Sequence, residues 1–288
     1  MSYAHNDLVA WVASIIQDFV DGPENSLQDG TGERAWDTPI IGFANGADPI
    51  FEQYKEVVGD FHWTPLEIFN QAFPDVAVAP EELAIISYIL PQTEATKRDQ
   101  RQQTVYPAER WARSRIFGEQ FNDKLRRHVA ETLTEAGYPA IAPSSTAAFK
   151  VHNSDKYVWA STWSERHAAH AAGLGTFGLC DGLITPVGKA MRASSVVARI
   201  PIPATPRPYD DHRTYCLLYS HNTCGECIGR CPVGALSKDG HDKRRCRAHL
   251  TVTRRYVTEN YGFEGYGCGL CQVGVPCESG IPNANAHG

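Results

Sequence analysis

The stretch Cys224-Gly-Glu-Cys227-Ile-Gly-Arg-Cys231-Pro232 places three cysteines at the spacing C-x2-C-x3-C-P. This stretch belongs to a longer cysteine-rich segment: eight of the nine cysteines of the chain fall within its last 73 residues. Four thiolates are the common ligand set of a cubane iron–sulfur cluster. Eight cysteines therefore predict two 4Fe–4S clusters, and the eight are Cys216, Cys224, Cys227, Cys231, Cys246, Cys268, Cys271 and Cys277.

The spacing also predicts which cysteines share a cluster. The run matches the later part of the bacterial ferredoxin signature, in which the cysteine before proline ligates the other cluster of a pair. Cys224 and Cys227 lie on one tight turn, whereas Cys231 lies one helical turn further and points away from them. We therefore expect two interlocking ligand sets: Cys216, Cys224, Cys227 and Cys277 for the first cluster, and Cys268, Cys271, Cys246 and Cys231 for the second.

Two other uses of the cysteines are open at this stage. Zinc also binds pairs of the C-x2-C type, and Cys224 and Cys227 with Cys268 and Cys271 would form a four-thiolate zinc site. That interpretation leaves the other four cysteines without a role. Disulfides require an oxidising compartment, and no secretory segment is recognised at residues 1–6. We therefore favour iron–sulfur clusters.

The composition indicates a globular protein of one large domain or two modest ones. The 288 residues are 42% hydrophobic and 21% charged, and the formal net charge is −6. No stretch approaches the roughly 20 apolar residues of a membrane helix. Basic residues form no long patch, which disfavours a nucleic acid as partner. With no basic or twin-arginine leader at the N-terminus, we expect a cytoplasmic protein without a membrane partner.

Hydrophobic patterning predicts three segments. Residues 1–80 hold one amphipathic helix and wrapping loops, residues 81–209 an α/β cofactor and substrate domain, and residues 210–288 the cluster domain. The pattern predicts helices at residues 8–20, 109–136 and 164–172 and strands at residues 83–90, 138–143, 183–185 and 194–202. It also predicts loops at residues 22–80, with short helices, and at residues 92–107.

A glycine loop, Gly173-Leu-Gly175-Thr-Phe-Gly178, precedes the segment Leu183-Ile-Thr-Pro186. Its G-x-G-x-x-G pattern is a weak dinucleotide signal, because a helix rather than a strand is predicted before it. Three glycines nevertheless allow the backbone to approach another group closely.

With these motifs the chain resembles the family that joins epoxyqueuosine reductase with the reductive dehalogenases. The resemblance runs from about residue 83 to Cys277. It is carried by Glu165-Arg166, by the glycine loop with Leu-Ile-Thr-Pro, and by the runs Cys231-Pro-Val-Gly-Ala-Leu and Tyr266-Gly-Cys-Gly-Leu-Cys-Gln. It implies an α+β fold: an α/β, nitroreductase-like core that binds cobalamin, followed by a C-terminal ferredoxin-like domain with two 4Fe–4S clusters.

The resemblance also implies site residues. The residues that would line the corrin are Gly173, Leu174, Gly175, Thr176, Phe177, Gly178, Leu183, Ile184, Thr185 and Pro186. Arg192 stands where dehalogenases carry a basic residue and would stabilise an anion. Tyr138 occupies a place like that of the dehalogenase tyrosine that donates a proton. His167, His170 and the ninth cysteine, Cys180, lie near these motifs without an assigned role.

The chain departs from the epoxyqueuosine reductases in two ways. Trp159 stands where those enzymes carry a catalytic aspartate, and the helical region that they use for tRNA is not found after Cys277. In addition, Cys271 and Cys277 are separated by five residues where a shorter Cys-x3-Cys-Pro is usual. We therefore expect a small-molecule substrate rather than tRNA.

These observations predict an iron–sulfur oxidoreductase that reduces a small organic substrate with cobalamin. Two clusters would relay electrons from a donor such as a ferredoxin or flavodoxin. Two alternatives remain open: a reductase of the same fold that works without cobalamin, and a ferredoxin-like electron carrier that is not an enzyme. The roughly 200 residues before the clusters exceed what a carrier needs.

Overall fold

The computed structural model describes residues 5–154 and 157–283. Residues 1–4, on which part of the expectation about the N-terminus rests, lie outside the described residues. Within the described ranges, no helix combines the length and the apolar character needed to cross a bilayer.

Helices and strands are mixed along the chain. The helices are α1 (His5–Asp21), α2 (Ile50–Val58), α3 (Pro65–Ala72), α4 (Glu94–Arg101), α5 (Glu109–Arg113), α6 (Glu119–Glu135), α7 (Glu165–Ala171), α8 (Leu217–His221), α9 (Glu226–Gly229) and α10 (Lys243–Tyr261). The strands are β1 (Ile40–Asn45), β2 (Leu83–Pro91), β3 (Ala140–Ile141), β4 (Val151–Ser154), β5 (Val158–Ser161), β6 (Thr176–Phe177), β7 (Leu183–Ile184), β8 (Met191–Arg199), β9 (Leu236–Ser237) and β10 (Gly240–His241).

The central sheet has the strand order β1-β2-β8-β3, and every neighbouring pair in it is antiparallel. β2 is buried along its whole length, as expected of a strand with helices on both faces. Its side chains alternate: Ile86 and Tyr88 pack with α1 and α6, and Ile85 and Ile89 pack with α2, α3 and α7. The sheet is therefore the middle layer of three.

Most predicted elements are present, and two are corrections. β1 was predicted as loop, yet it pairs with β2 from Ile40↔Ile89 to Asn45↔Ala84. Residues 1–80 thus share the sheet with residues 81–209. α4 also lies in a predicted loop, and its first turn is capped by the Thr93 hydroxyl, which accepts a hydrogen bond from the Thr96 amide. Both elements carry weak sequence signals, since β1 is short and follows a glycine-rich stretch and α4 is almost entirely polar.

The cysteine-rich segment after residue 209 packs with Leu179, Cys180 and Ile184 in a small core that is rich in cysteine and aliphatic side chains. It is attached to the sheet domain through the start of β8. The Lys189 amide donates to the Cys277 carbonyl at 2.9 Å, and the Ala190 amide donates to the Glu278 carbonyl at 3.2 Å. The end of the chain is therefore held beside the same sheet edge as Arg192.

Candidate metal and substrate site

Four cysteines of the predicted first set line one small cavity. Cys216 precedes α8, Cys227 lies in α9, and Cys224 and Cys277 complete the ring. The cavity is about 20 Å³, room for roughly one water molecule. A cluster at this position would therefore require the four side chains to move outward.

The predicted second set lines a different and larger cavity of about 300 Å³. Cys231 follows α9, Cys246 lies in the first turn of α10, Cys268 precedes a short 3-10 turn, and Cys271 lies within that turn. Cys227 and Cys231 are only four residues apart, yet they line different cavities. The first set thus lines one cavity, and the second set, together with Cys180, lines the other; the two interlocking ligand sets stay a prediction.

This arrangement bears on the alternatives. The zinc site would need Cys224 and Cys227 to meet Cys268 and Cys271, but the two pairs line separate cavities. In residues 5–154 and 157–283, no three or more His, Cys, Asp or Glu side chains converge on a single-ion site. Each thiolate of a cubane binds its own iron atom, so its ligands surround a cage instead of converging on one point. All nine cysteines are free thiols.

A buried lysine, which we did not predict, lies between the two sets. Lys189 is 2% exposed, and its Nζ lies 3.6 Å from Cys180 Sγ. Burial lowers the pKa of Lys189, but the charges of Cys180, Cys277 and other nearby thiols outweigh it and raise the pKa above its usual value. Cys180 itself lines the larger cavity, and a hydrogen bond from Cys271 lowers its pKa. A buried cation at this position favours negatively charged sulfur.

A hollow adjoins the larger cysteine cavity at the edge of the sheet. Its volume is about 580 Å³, and it shares Met191, Arg192 and Gln272 with the cysteine cavity. Arg192 Nε contacts Glu119 Oε2 at 3.1 Å. Burial, together with the neighbouring Arg115, lowers the pKa of Arg192 to about 10, so the group is still a cation at neutral pH. The predicted anion-stabilising arginine therefore lines the hollow.

Arg192 is oriented by a chain of charges, of which Arg126 is buried and the others are half-buried. Glu119 also binds Arg126 at 2.7 Å, and Arg126 in turn lies 3.6 Å from Glu165. The hydroxyls of Ser144 and Ser195 both donate to Glu165. Burial raises the pKa of Glu165, and Arg126 opposes that effect. The network joins the starts of α6, α7 and β8 beside the hollow.

Tyr266 is a second group in the site that the sequence left without a role. It lines the larger cysteine cavity. Arg115 Nη2 donates to its hydroxyl at 2.6 Å, and the Arg115 guanidinium lies 4.8 Å from its ring centroid. Arg254 lies 5.4 Å from the same ring. Because the phenol oxygen accepts from Arg115, its own proton is free to be donated to another group.

Tyr138 is placed elsewhere. It packs, partly buried, against the core between α1 and α6, with its ring 6.1 Å from that of Trp11. It lines neither the cysteine cavities nor the hollow beside Arg192. The packing thus gives no support to its predicted role as proton donor.

The glycine loop packs against the protein itself. A Cβ on Gly175 would lie 2.2 Å from the Ile184 carbonyl oxygen, so this glycine allows β6 and β7 to approach each other. Of the ten predicted corrin contacts, only Leu183 lines the hollow. Gly178 and Ile184 line the small cysteine cavity, and Thr185 is buried with its hydroxyl bonded to the Gly188 carbonyl. Pro186 is exposed, and Gly173, Leu174, Thr176 and Phe177 line none of these cavities.

His167 and His170 belong to a packed aromatic group around Tyr54. The Tyr54 hydroxyl lies 2.7 Å from His170 Nδ1, and its ring meets that of His167 edge-on. Burial lowers the pKa of His170 to about 4, and it lowers the pKa of His167 as well. Both are therefore neutral in the folded protein, and neither lines the hollow.

The fold and the site define a mixed helix and strand protein with two cysteine-lined cavities and a charged hollow beside one of them. No family model matches the chain. An epoxyqueuosine reductase of Bacillus anthracis is 32% identical over 124 residues, 41% of this chain and 30% of that protein. The corresponding protein of Staphylococcus aureus is 33% identical over the same length, with the same coverage. The match thus spans less than a third of these curated relatives.

Solved structures are similar to the whole chain. The structure of one epoxyqueuosine reductase matches with a TM-score of 0.50 at 16% identity. The match covers 99% of this chain and 71% of the reductase chain. A catabolic reductive dehalogenase has a TM-score of 0.46 at 14% identity and covers 94% of this chain and 37% of its own. At 16% identity the first match shows a similar fold and nothing about function, and no conclusion is drawn from the second. The resemblance predicted from the motifs is confirmed.

Proposed function

We propose that this protein is an iron–sulfur reductase that delivers electrons singly, through two 4Fe–4S clusters, to a small organic substrate in the hollow beside Arg192. The observation that carries the proposal is the separation of eight cysteines into two groups of four around two cavities. Four cysteine thiolates are the usual ligands of a cubane 4Fe–4S cluster. The sequence similarity to epoxyqueuosine reductases supports a reductase.

The geometry supports a direction for electron flow. The cavity of Cys231, Cys246, Cys268 and Cys271 shares three lining residues with the hollow, whereas the cavity of Cys216, Cys224, Cys227 and Cys277 shares one. Its one residue in common with the hollow's wall is Lys189. Electrons would therefore enter at the first set and leave at the second. A ferredoxin or flavodoxin is the proposed donor.

Cobalamin is the proposed cofactor of the hollow. Pockets for drug-sized ligands measure roughly 300–1,000 Å³. The hollow alone, at about 580 Å³, lies in this range, so a corrin, which is larger than drug-sized ligands, would extend beyond it. Arg166, Arg192, Ser164, Leu183 and Met191 line the hollow and would contact the part of the cofactor that it holds. When bound, the corrin cobalt supplies a strong nucleophile or reductant.

The chain's own residues would handle charge and protons. Arg192, held by Glu119, would stabilise an anion that leaves or forms in the hollow. Tyr266 takes the role that we first gave to Tyr138, because its hydroxyl lies at the cavity wall and keeps its proton free. Arg115 fixes the orientation of that hydroxyl and would stabilise the phenolate after proton transfer.

The test of the function is metal analysis and a corrin titration under anaerobic conditions. Protein purified without oxygen should contain about eight iron atoms per chain, the content of two cubanes. Added cobalamin should change its visible spectrum on binding. Eight irons without corrin binding would favour the cobalamin-independent reductase, and zinc without iron would refute both forms of the proposal.

Substituting Tyr266→Phe should slow substrate reduction by about 10²- to 10⁴-fold, the usual contribution of a general acid. The iron content and the cobalamin titration should not change, because the phenol oxygen binds only Arg115. Tyr138→Phe is the matched control and should retain full activity. Reduced activity in Tyr138→Phe with normal activity in Tyr266→Phe would restore the original assignment.

A solved epoxyqueuosine reductase contains a tRNA stem loop, so a nucleic acid is bound in that protein. This is partly at odds with our expectation that a nucleic acid is disfavoured. The small-molecule substrate therefore stays a proposal, and RNA is included among the ligands tested below.

A further inference from the structure

An open cavity of about 720 Å³ adjoins the second cysteine set on the side away from the sheet. It meets the larger cysteine cavity at Cys246, Tyr266 and Leu250. Four of its wall side chains are cations, and one is a carboxylate, that of Asp181. The cations are Arg166, Lys243, Arg247 and Arg254. This surplus of positive charge stands out in a chain whose net charge is −6.

Three of the cations form one stripe on α10. Lys243, Arg247 and Arg254 are spaced i, i+4 and i+11, which places them on the same side of a helix. Cys246 lies in the same helix and also faces the cavity. The helix therefore carries a proposed cluster ligand and a row of positive charge along one wall.

Two of these arginines have no carboxylate partner among the described residues. The Arg247 guanidinium lies 4.2 Å from the ring centroid of Trp159, and Arg254 contacts the ring of Tyr266. In contrast, Arg255 on the same helix binds Glu259 at 2.7 Å. Asp181 is already engaged, by His241 at 3.0 Å and by Lys243 at 3.4 Å. Arg247 and Arg254 thus retain hydrogen-bond donors for a ligand.

We propose that this cavity binds the anionic group, a carboxylate or a phosphate, of a small aromatic substrate. Arginine donors suit planar or tetrahedral oxyanions, and Trp159 and Tyr266, whose rings contact these arginines, add aromatic wall beside the cations. The volume lies in the range of small-molecule pockets, and the cations line a concave wall. The inference rests on the proposed function: it places the anionic group of the substrate in a cavity that shares Arg166 with the hollow.

Trp159 contributes to the charge of this wall. It holds the Arg247 guanidinium against its ring at 4.2 Å without cancelling the positive charge.

The test is calorimetric titration of the anaerobic holoprotein with phenyl phosphate and benzoate, with benzamide as the neutral analogue. Both anions should bind and benzamide should not. The double variant R247Q/R254Q should bind phenyl phosphate about 10- to 100-fold more weakly, the loss expected from charge-assisted hydrogen bonds. The control R244Q/R255Q removes the same charge from two positions of the same helix that do not line the cavity and should bind like the wild type.

Several outcomes would overturn the proposal. Equal affinities in the two double variants would place the anion elsewhere. Loss of phenyl phosphate binding after saturation with cobalamin would assign the cations to the phosphate of the cofactor. An RNA stem loop that binds more tightly than phenyl phosphate, and weakens with R247Q/R254Q, would assign them to nucleic acid. Iron content is measured in parallel, so a missing cluster refutes the proposed function without affecting the binding result.

Discussion

The double substitution Cys227→Ser/Cys231→Ser is expected to remove nearly all of the iron, about eight atoms per chain. Although the two cysteines lie four residues apart, they line different cavities and belong to different proposed clusters. Losing one thiolate from each set would leave neither cubane with four cysteine ligands. The measurement is iron per chain in protein purified anaerobically, with a visible spectrum of each sample.

The matched double variant is Cys224→Ser/Cys227→Ser, which removes two thiolates from one set only. It should retain about four iron atoms, because the set of Cys231 is untouched. Cys180→Ser tests the ninth cysteine and should retain about eight. If Cys227→Ser/Cys231→Ser also kept about four, the two cysteines would serve the same cluster and the interlocking arrangement would be wrong.

Gly188→Ala should be the most damaging single methyl addition in the chain. Gly188 has φ +83°, and a Cβ there would lie 2.0 Å from the Glu278 carbonyl oxygen and 2.4 Å from the Ser279 amide nitrogen. Both are backbone atoms and cannot rotate away. We expect a loss of more than about 4 kcal/mol in the free energy of unfolding, the range of severe core disruption.

The damage should extend to the first cluster. Glu278 is 6% exposed and bound to Arg101, and its own carbonyl accepts from Ala190. Displacing this segment moves Cys277, so Gly188→Ala should also lose about four iron atoms. Urea unfolding and iron analysis measure the two effects separately.

Gly137→Ala is the control that separates the steric clash at residue 188 from the energetic cost of a positive φ angle. Gly137 has φ +91°, but a Cβ there meets nothing within 4 Å. It should cost only about 1–2 kcal/mol, the penalty for an L-residue with positive φ, and should retain all its iron. Similar losses in the two variants would show that contact with Glu278 is not what requires glycine at residue 188.

The elements with strong local signals were predicted correctly. Residues 83–90 are a continuous apolar run and form β2, and the apolar stripe of residues 8–20 forms α1. β1 was missed because its stability comes from pairing with β2, a contact about 40 residues away along the chain. α4 was missed because its stability rests on polar contacts, such as Gln100 Nε2 to the Cys268 carbonyl at 2.6 Å.

In the candidate site, too, local sequence patterns could be interpreted, whereas contacts between distant segments could not. The sequence predicts two cysteine sets because the C-x2-C-x3-C-P run is a recognisable local pattern, and the sets themselves stay a prediction. The roles of the two tyrosines could not be predicted, since Tyr138 and Tyr266 differ only in what the fold packs against them. Lys189 and the unpaired arginines of α10 carry no sequence signal either. Their significance depends on burial and on the distance to charges from remote segments, which only the folded chain determines.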